Sequence, residues 1–416
     1  MRVAVIGAGI VGVSTAYFLA QNGHQVSVIE RCGNVCEQAS LGHAGLLGAG
    51  HLTPLGAPGM PGQIISHWFK SDGALHLNPS FKLSHWRWLR SWMRECQLER
   101  MLANKLKMLR LGKYGQQLLA DITLAHNLDF QQRSGILHLF RQPKQQTNIH
   151  AGLDLLTQSD VPFQVLDEAA CRACEPALNP LTAIAGGIYF PTDSQGNCVL
   201  FAKQLKNIVG QMGVGFEFLT ECTQITASQH GVTLQLTQDK LGKTLQFDAV
   251  VLAAGAQSVG FFNALGITAR VATMQSFSNT ANLKNIEDSP RLSIIDESSQ
   301  IAITRMDKRI RVAGTLFSGT ASPNAEQRAW QLLRNTGADW FPDAANYSTG
   351  SNWSGQHVML PDNAPLLGQC GANNVYINAA HAEFGWAMSI ASGKVVADLI
   401  SGARPEINLD GLGLAR

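Results

Sequence analysis

Hydrophobic and polar positions change period several times along the chain, and each change predicts an element. Residues 2–6 form an apolar run of strand length that ends at Gly7. From Ala8 to Asn22 apolar positions recur at helical spacing, and Gly23 supplies a natural stop. Residues 24–30 alternate again, so the chain opens as strand, turn, helix, strand. Residues 81–112 read mostly as helix. Strand character at 127–140 and 186–190 brackets a helical stretch over 145–159, and residues 198–212 are helical again. Short strands are predicted over 213–220, 223–227 and 231–238, followed by a buried apolar strand over 248–256 that ends in small residues. Two strands, 300–305 and 309–314, are joined by a turn at Asp307-Lys308, and 325–335 has a helical pattern. The chain closes with a strand over 374–378, a small-residue turn over 379–385 and a helix over 386–399. A nucleotide-type strand at one end and a strand-turn-helix at the other predict one discontinuous domain with a second inserted.

Composition narrows the class. A length of 416 residues fits two or three domains at roughly 150 residues each. Charged residues make up 15%, against about 25% in an average soluble protein, and there are 40 glycines. Buried parallel strands and close backbone approaches to a bound group account for both. With 32 Lys+Arg against 30 Asp+Glu, no overall field favours nucleic acid. The apolar start has the glycines of a turn and no cleavage-like site, so it reads as folded core of a cytoplasmic or membrane-peripheral protein. The 8 cysteines are scattered, which favours reduced thiols. Cys171 and Cys174 form a lone CxxC with no second ligand pair, so no metal site is expected. Between Lys82 and Lys113, Lys and Arg far outnumber Glu95 and Glu99, with Trp86, Trp88 and Trp92 interleaved. Such a helix either lies on an anionic membrane surface or packs its tryptophans inward.

The most specific chemistry lies at the start. Gly7, Gly9 and Gly12 occupy the G-x-G-x-x-G positions: a tight turn, a backbone that a pyrophosphate can touch, and close helix-strand packing. Ile10 and Val11 open the helix whose N-terminus faces the phosphates. Glu30, eighteen residues after Gly12 and followed by Arg31, is placed to bond a ribose hydroxyl. A glycine-rich core turn alone does not explain Glu30. A single fingerprint serves either NAD as co-substrate or FAD as resident cofactor. No Ser-His-Asp pattern, paired-carboxylate motif or P-loop is present.

The fingerprint, residues 193–201, 248–258 and 301–314, and Pro361-Asp-Asn-Ala-Pro-Leu-Leu-Gly368 with the closing strand-turn-helix resemble the FAD-dependent D-amino-acid dehydrogenase and oxidase family. This group includes glycine-oxidase and sarcosine-oxidase-like flavoproteins, and bacterial D-amino-acid dehydrogenases look most similar. The resemblance covers nearly the whole chain. It implies an α/β fold: a Rossmann-type FAD-binding domain (1–60, 193–265 and 345–416) with an inserted α+β substrate domain (61–192 and 266–344) containing a mixed or antiparallel sheet. It implies FAD, with Ser40 and His43-Ala44-Gly45 along the pyrophosphate and flavin, the Cys222 backbone beside the adenine, Ala254-Gly255 at a strand tip, and Gly385-Trp386 at a helix start facing the ring. It also implies hydride transfer from the α-carbon of a neutral amine, an imine hydrolysed to keto acid and ammonia, and a quinone or oxygen as electron acceptor.

Departures from the family pattern fall on the substrate side. A family Gly-Leu-Arg-Pro segment, whose arginine pairs with the substrate carboxylate, is replaced by Gly355-Gln356-His357-Val358. A Lys-Gly-Tyr segment becomes Gln275-Ser276-Phe277, an acidic residue becomes Phe317, and an asparagine becomes His43. His357 is a candidate substrate contact or a satisfied loop histidine. His381 is a candidate cofactor or substrate contact or a helix cap. Arg305 either replaces the lost carboxylate partner or faces outward from its strand. The expected function is oxidation of a D-amino acid; the alternatives are an amine dehydrogenase whose substrate lacks a free carboxylate, and a non-catalytic FAD-binding subunit.

Overall fold

The computed structural model describes residues 1–67, 75–77, 83–143 and 150–414. Its first layer is a six-stranded sheet in the order Leu366–Gln369, Val375–Ala379, Ala249–Leu252, Arg2–Ile6, Gln25–Ile29, Gly215–Glu217. Every neighbouring pair is parallel except the antiparallel edge strand Leu366–Gln369. Arg2–Ile6 lies inside this sheet and is apolar on both faces, as a doubly covered parallel strand must be. Helices Ile10–Gln21 and Gly385–Ile400 pack on one face, so closely that a Cβ at Gly393 would sit 2.9 Å from the Ser14 carbonyl carbon. The other face is covered by the antiparallel strands Thr220–Ser228, Gly231–Gln238 and Leu241–Phe247, whose Ile225 and Leu234 meet Ile6 and Ile29 in one core.

The second layer is a ten-stranded mixed sheet. Its path runs Ser351–Met359, Ala272–Asn282, Arg309–Ser318, Ile301–Met306, Ser293–Asp296, Arg133–Phe140, Gly186–Gln195, Leu46–Leu47. Leu75–His76 pairs beside Arg309–Ser318, and Gln164–Leu166 beside Gly186–Gln195. Pro323–Trp340 covers one face through Ala325, Ala329, Leu333 and Trp340. That helix begins at Ser322, whose hydroxyl accepts from the Ala325 amide, with proline at the first helical position. It therefore extends beyond both ends of the predicted 325–335.

Most predicted elements are present, with shifted ends. The stretch read as one helix over 81–112 is two, Leu83–Glu95 and Leu98–His126, broken at Cys96-Gln97; residues 81 and 82 lie outside the described ones. The helix read over 145–159 is described as His150–Gln158, and residues 145–149 likewise lie outside. Strand Leu241–Phe247 was not predicted; its exposed polar positions hide the alternation. Trp88 and Trp92 are buried and stack at 6.2 Å, and the Trp88 indole donates to the Met359 carbonyl, whereas Trp86 is 53% exposed. Two of the three tryptophans thus pack inward. No helix among the described residues is long and apolar enough to cross a membrane.

Candidate functional site

The turn after the first strand is shaped by two glycines. Gly7 has φ 104°, in the left-handed region, and an added Cβ would meet the Ala253 carbonyl oxygen at 2.6 Å. At Gly12 a Cβ would lie 1.9 Å from the Gly7 oxygen, so only glycine lets the helix sit on the strand. The N-terminal amide of the helix, at Ile10, donates to Ser40 Oγ (3.2 Å). Glu30 accepts from the amides of Ala8 (2.7 Å) and Cys32 (2.8 Å), which fixes its carboxylate beside the turn. Gly9, Ile10, Val11, Glu30, Arg31 and Ser40 line the end of a cavity of about 1370 Å³, with Cys222, Ala254 and Gly255 beside them.

The middle of the cavity lies between the sheets. Gly355 to Val358 lines it from one side, and the turn from Ala379 to Trp386 from another. Ala380 (φ 62°) and Ala382 (φ 50°) take left-handed conformations that alanine rarely adopts, so this turn is held by its surroundings. Four buried polar atoms here have no protein partner: His43 Nε2, His357 Nε2, Glu383 Oε2 and Trp386 Nε1. Buried polar groups are normally satisfied, so orphans facing one cavity mark where a polar ligand belongs. Glycine turn, helix N-terminus, fixed acid and orphaned polar atoms together fit FAD.

Burial sets the charge state of this middle section. It pulls His357 down to about 4 and His381 to about 3. His43 also falls to about 3, by burial first and then by the neighbouring His51 and Arg311 charges. All three are neutral at pH 7. His381 Nε2 contacts Ser392 Oγ (3.0 Å), and His43 Nδ1 accepts from the Gly45 amide (2.9 Å). Glu383 moves the other way, pushed up to about 7 by burial.

The far end carries a denser polar network. Asp193, fully buried, accepts from the amides of Gly50 and His51 and contacts His51 Nδ1 (3.0 Å). Lys105 donates to Thr53 Oγ1 (3.2 Å). His138 Nδ1 contacts Glu297, whose other oxygen accepts from Gln300 (2.6 Å). Burial opposes ionisation of Glu297, but the bonds from His138 and Gln300 and the Lys105 charge hold it below the usual carboxylate value. Lys105, Thr53, His51, His138 and Glu297 all line the cavity.

The structure gathers most of the predicted residues into this one cavity. Gly12 and Gly45 act by close packing from just outside it; a Cβ at Gly45 would meet the Gly196 oxygen at 2.8 Å. Arg305 is not brought there. Its guanidinium turns outward to Ser289 Oγ (3.0 Å), the Asp307 carbonyl and the Ile286 carbonyl. Alternation explains this, because Thr304, its neighbour, points inward and donates to the Ala44 carbonyl. The reading of Arg305 as the replacement carboxylate partner is therefore corrected. Sequence reasoning missed Lys105, His138, Glu297, His51 and Glu383. For Lys105 a signal existed: it follows Met101 by four positions and precedes Met108 by three, on the buried stripe of its helix.

Residues 2–399 match the family described as FAD dependent oxidoreductase. A D-amino acid dehydrogenase of Neisseria meningitidis is 34% identical, covering 100% of this chain and 99% of the relative. One of Agrobacterium fabrum is 33% identical with the same coverage. Among solved structures, glycine oxidase from Geobacillus kaustophilus superposes with a TM-score of 0.76 at 20% identity, covering 100% of this chain and 99% of that one. L-proline dehydrogenase from P. horikoshii gives 0.73 at 16%, covering 100% and 97%. These structures share the fold of this chain. The chain belongs to the FAD-dependent oxidoreductase family.

Proposed function

We propose that the protein is a D-amino-acid dehydrogenase. It oxidises the carbon-nitrogen bond of a D-amino acid to the imine, which water hydrolyses to a keto acid and ammonia. The observation that carries this reading is the continuity of the cavity from the Gly7–Gly12 turn, past the orphaned polar atoms, to the Lys105 network. The names of the full-length relatives support the D-amino-acid substrate.

Bound FAD would supply the acceptor for the two electrons that leave the substrate. Gly9, Ile10, Val11 and Ser40 would hold its pyrophosphate, Glu30 and Arg31 its ribose, and Cys222 and Gly255 its adenine side. His43, Ala44, Gly385 and Trp386 would hold the ring, with Gly45 packing their turn from just outside the cavity. The N-terminus of helix Gly385–Ile400 favours negative charge beside it. His357 and His381 are neutral and shape the site without adding charge. Glu383 lines the cavity with an unpartnered carboxylate oxygen and, with burial raising its carboxyl to about 7, would hold the proton that the substrate ammonium loses on entry.

The same reading keeps the chain divided as 1–60, 193–265 and 345–416 for the cofactor and 61–192 and 266–344 for the substrate. It takes a quinone, rather than oxygen, as final acceptor. Leu83, Trp86 and Met93, exposed on one helix, would touch the membrane face that holds the quinone. The test is turnover of D-alanine and L-alanine with a soluble quinone, assayed for pyruvate and ammonia. Equal amounts of both products from the D-isomer are expected. Product from the L-isomer alone, or from neither, contradicts the proposal.

A further inference from the structure

An amino acid entering this cavity brings a carboxylate that needs a counter-charge in a place shielded from water. Position 357 does not provide one: His357 is buried, neutral and on the edge strand of the large sheet. Among the described residues lining the cavity, the Lys and Arg side chains are Arg31, at the nucleotide end, and Lys105. Lys105 is 6% exposed, and no carboxylate is in ion-pair contact with it among the described residues. An ammonium has three donors, and among the described residues one is used, on Thr53 Oγ1. A buried lysine with two donors unspent is costly unless a ligand takes them.

A second group points to the same place. His138 is 7% exposed, its Nδ1 is taken by Glu297, and its Nε2 has no partner. The nearby carboxylates are already occupied, Glu297 by His138 and Gln300 and Asp193 by two amides and His51. The unspent capacity at this end is therefore on Lys105 and His138, a set that suits an acceptor-only anion. The site is distinct from position 357, since four strands separate the strand of His138 from that of His357. The same cavity lines both this site and the cofactor-side turn. The His51 ring is 6.1 Å from that of Phe384, and Thr53 is two residues further along, a span of about 7 Å at most.

We propose that Lys105, aimed by Thr53 and joined by His138, binds a carboxylate of the substrate and takes over the charge pairing that position 357 lacks. This rests on the amino-acid reading given above. The carboxylate is either the α-carboxylate or one at the end of an acidic side chain, and paired substrates separate the two.

The experiment compares holoenzyme carrying Lys105→Met, Lys105→Arg or Thr53→Val with the native protein. FAD content and Tm are recorded for each, so a folding defect is seen directly. Apparent Kd for anaerobic flavin reduction is measured with D-alanine, D-alaninamide, D-glutamate and D-glutamine. Lys105→Met should weaken carboxylate-bearing substrates about 10- to 100-fold, Thr53→Val less, and Lys105→Arg should recover most of the loss. D-Alaninamide should change little. A loss shared by D-alanine and D-glutamate assigns the α-carboxylate; a loss confined to D-glutamate assigns the side chain. Unchanged Kd values for all four, in folded Lys105→Met holoenzyme, overturn the site.

Binding of propionate and propionamide, followed by calorimetry, reads the same site without turnover. Native holoenzyme should prefer propionate, and Lys105→Met should lose that preference. If no amino acid reduces the flavin but this preference is present and lost in the variant, the enzymatic reading fails and the carboxylate site stands. If propionate binds native and variant alike, the site fails whatever the substrate proves to be.

Discussion

The two ends of the cavity are built from different material. The nucleotide end is mostly backbone: Gly7 at φ 104°, the helix amide at Ile10, and Glu30 clamped between two amides. The far end is side chains from five distant segments: His51 and Thr53, Lys105, His138, Asp193, and Glu297 with Gln300. A backbone cradle is tied to a fixed local spacing and tolerates little change. A side-chain network can be re-specified one residue at a time while the fold stays as it is.

The largest expected effect is therefore at the nucleotide end. Gly12→Ala places a Cβ 1.9 Å from the Gly7 oxygen, and overpacking of this kind costs about 3 kcal/mol. Purified protein should lose most of its FAD, and Tm should fall; a yellow, equally stable variant would break the contrast. Next comes Asp193→Asn. The carboxylate holds two amides and His51, so its loss should cost about 2 kcal/mol and be seen as a lower Tm. Because Asp193 braces the far end, FAD should be retained, unlike in Gly12→Ala.

Acidification tests the middle of the cavity. His43, His357 and His381 have folded pKa values of about 3, 4 and 3, below the unfolded value of about 6.5. Between those limits the unfolded chain binds more protons than the folded one. The stability they confer is full above about pH 6.5 and is lost progressively as pH falls towards 3. Urea midpoints measured from pH 7 to pH 4 should decline, and a His357→Phe, His381→Phe double variant should decline less.

Lys105 moves the opposite way with pH. Burial draws it down to about 8, against the favourable pull of Glu297 and Asp193, which are themselves bonded to His138 and His51. Its positive charge is lost as pH rises through about 8, so propionate affinity should weaken above that pH while propionamide affinity stays level. His357→Arg sharpens the same point. If Lys105 holds the carboxylate, an arginine at 357 buries an unneeded charge, and D-alanine turnover should not rise. The smallest expected effect is a few-fold: Glu383→Gln should remove a step near pH 7 from the pH profile of substrate reduction.

The contrast between the two ends also governs how much the sequence revealed. Gly7, Gly9, Gly12 and Glu30 lie within one strand-turn-helix-strand unit, where period and spacing specify their geometry directly. The fold class was legible for the same reason, through the first and last such units. The far end was not, because its members are separated by up to about 250 residues and meet only when the large sheet forms. Lys105 sits in a basic stretch whose charge draws the eye to a membrane surface, although its place between Met101 and Met108 marks a buried face. Arg305 drew attention as a charge on a suitable strand, but one step of alternation sends it outward and leaves Thr304 inside.

The central claim is that cofactor and amino acid share one cavity. It is tested most directly by anaerobic mixing of FAD-loaded protein with D-amino acids, L-amino acids, cyclic imino acids and simple amines, followed by the visible flavin band. Rapid bleaching by D-amino acids, and little by their L-isomers or by amines without a carboxylate, is the predicted result. FAD that stays oxidised with every compound in the panel would contradict it.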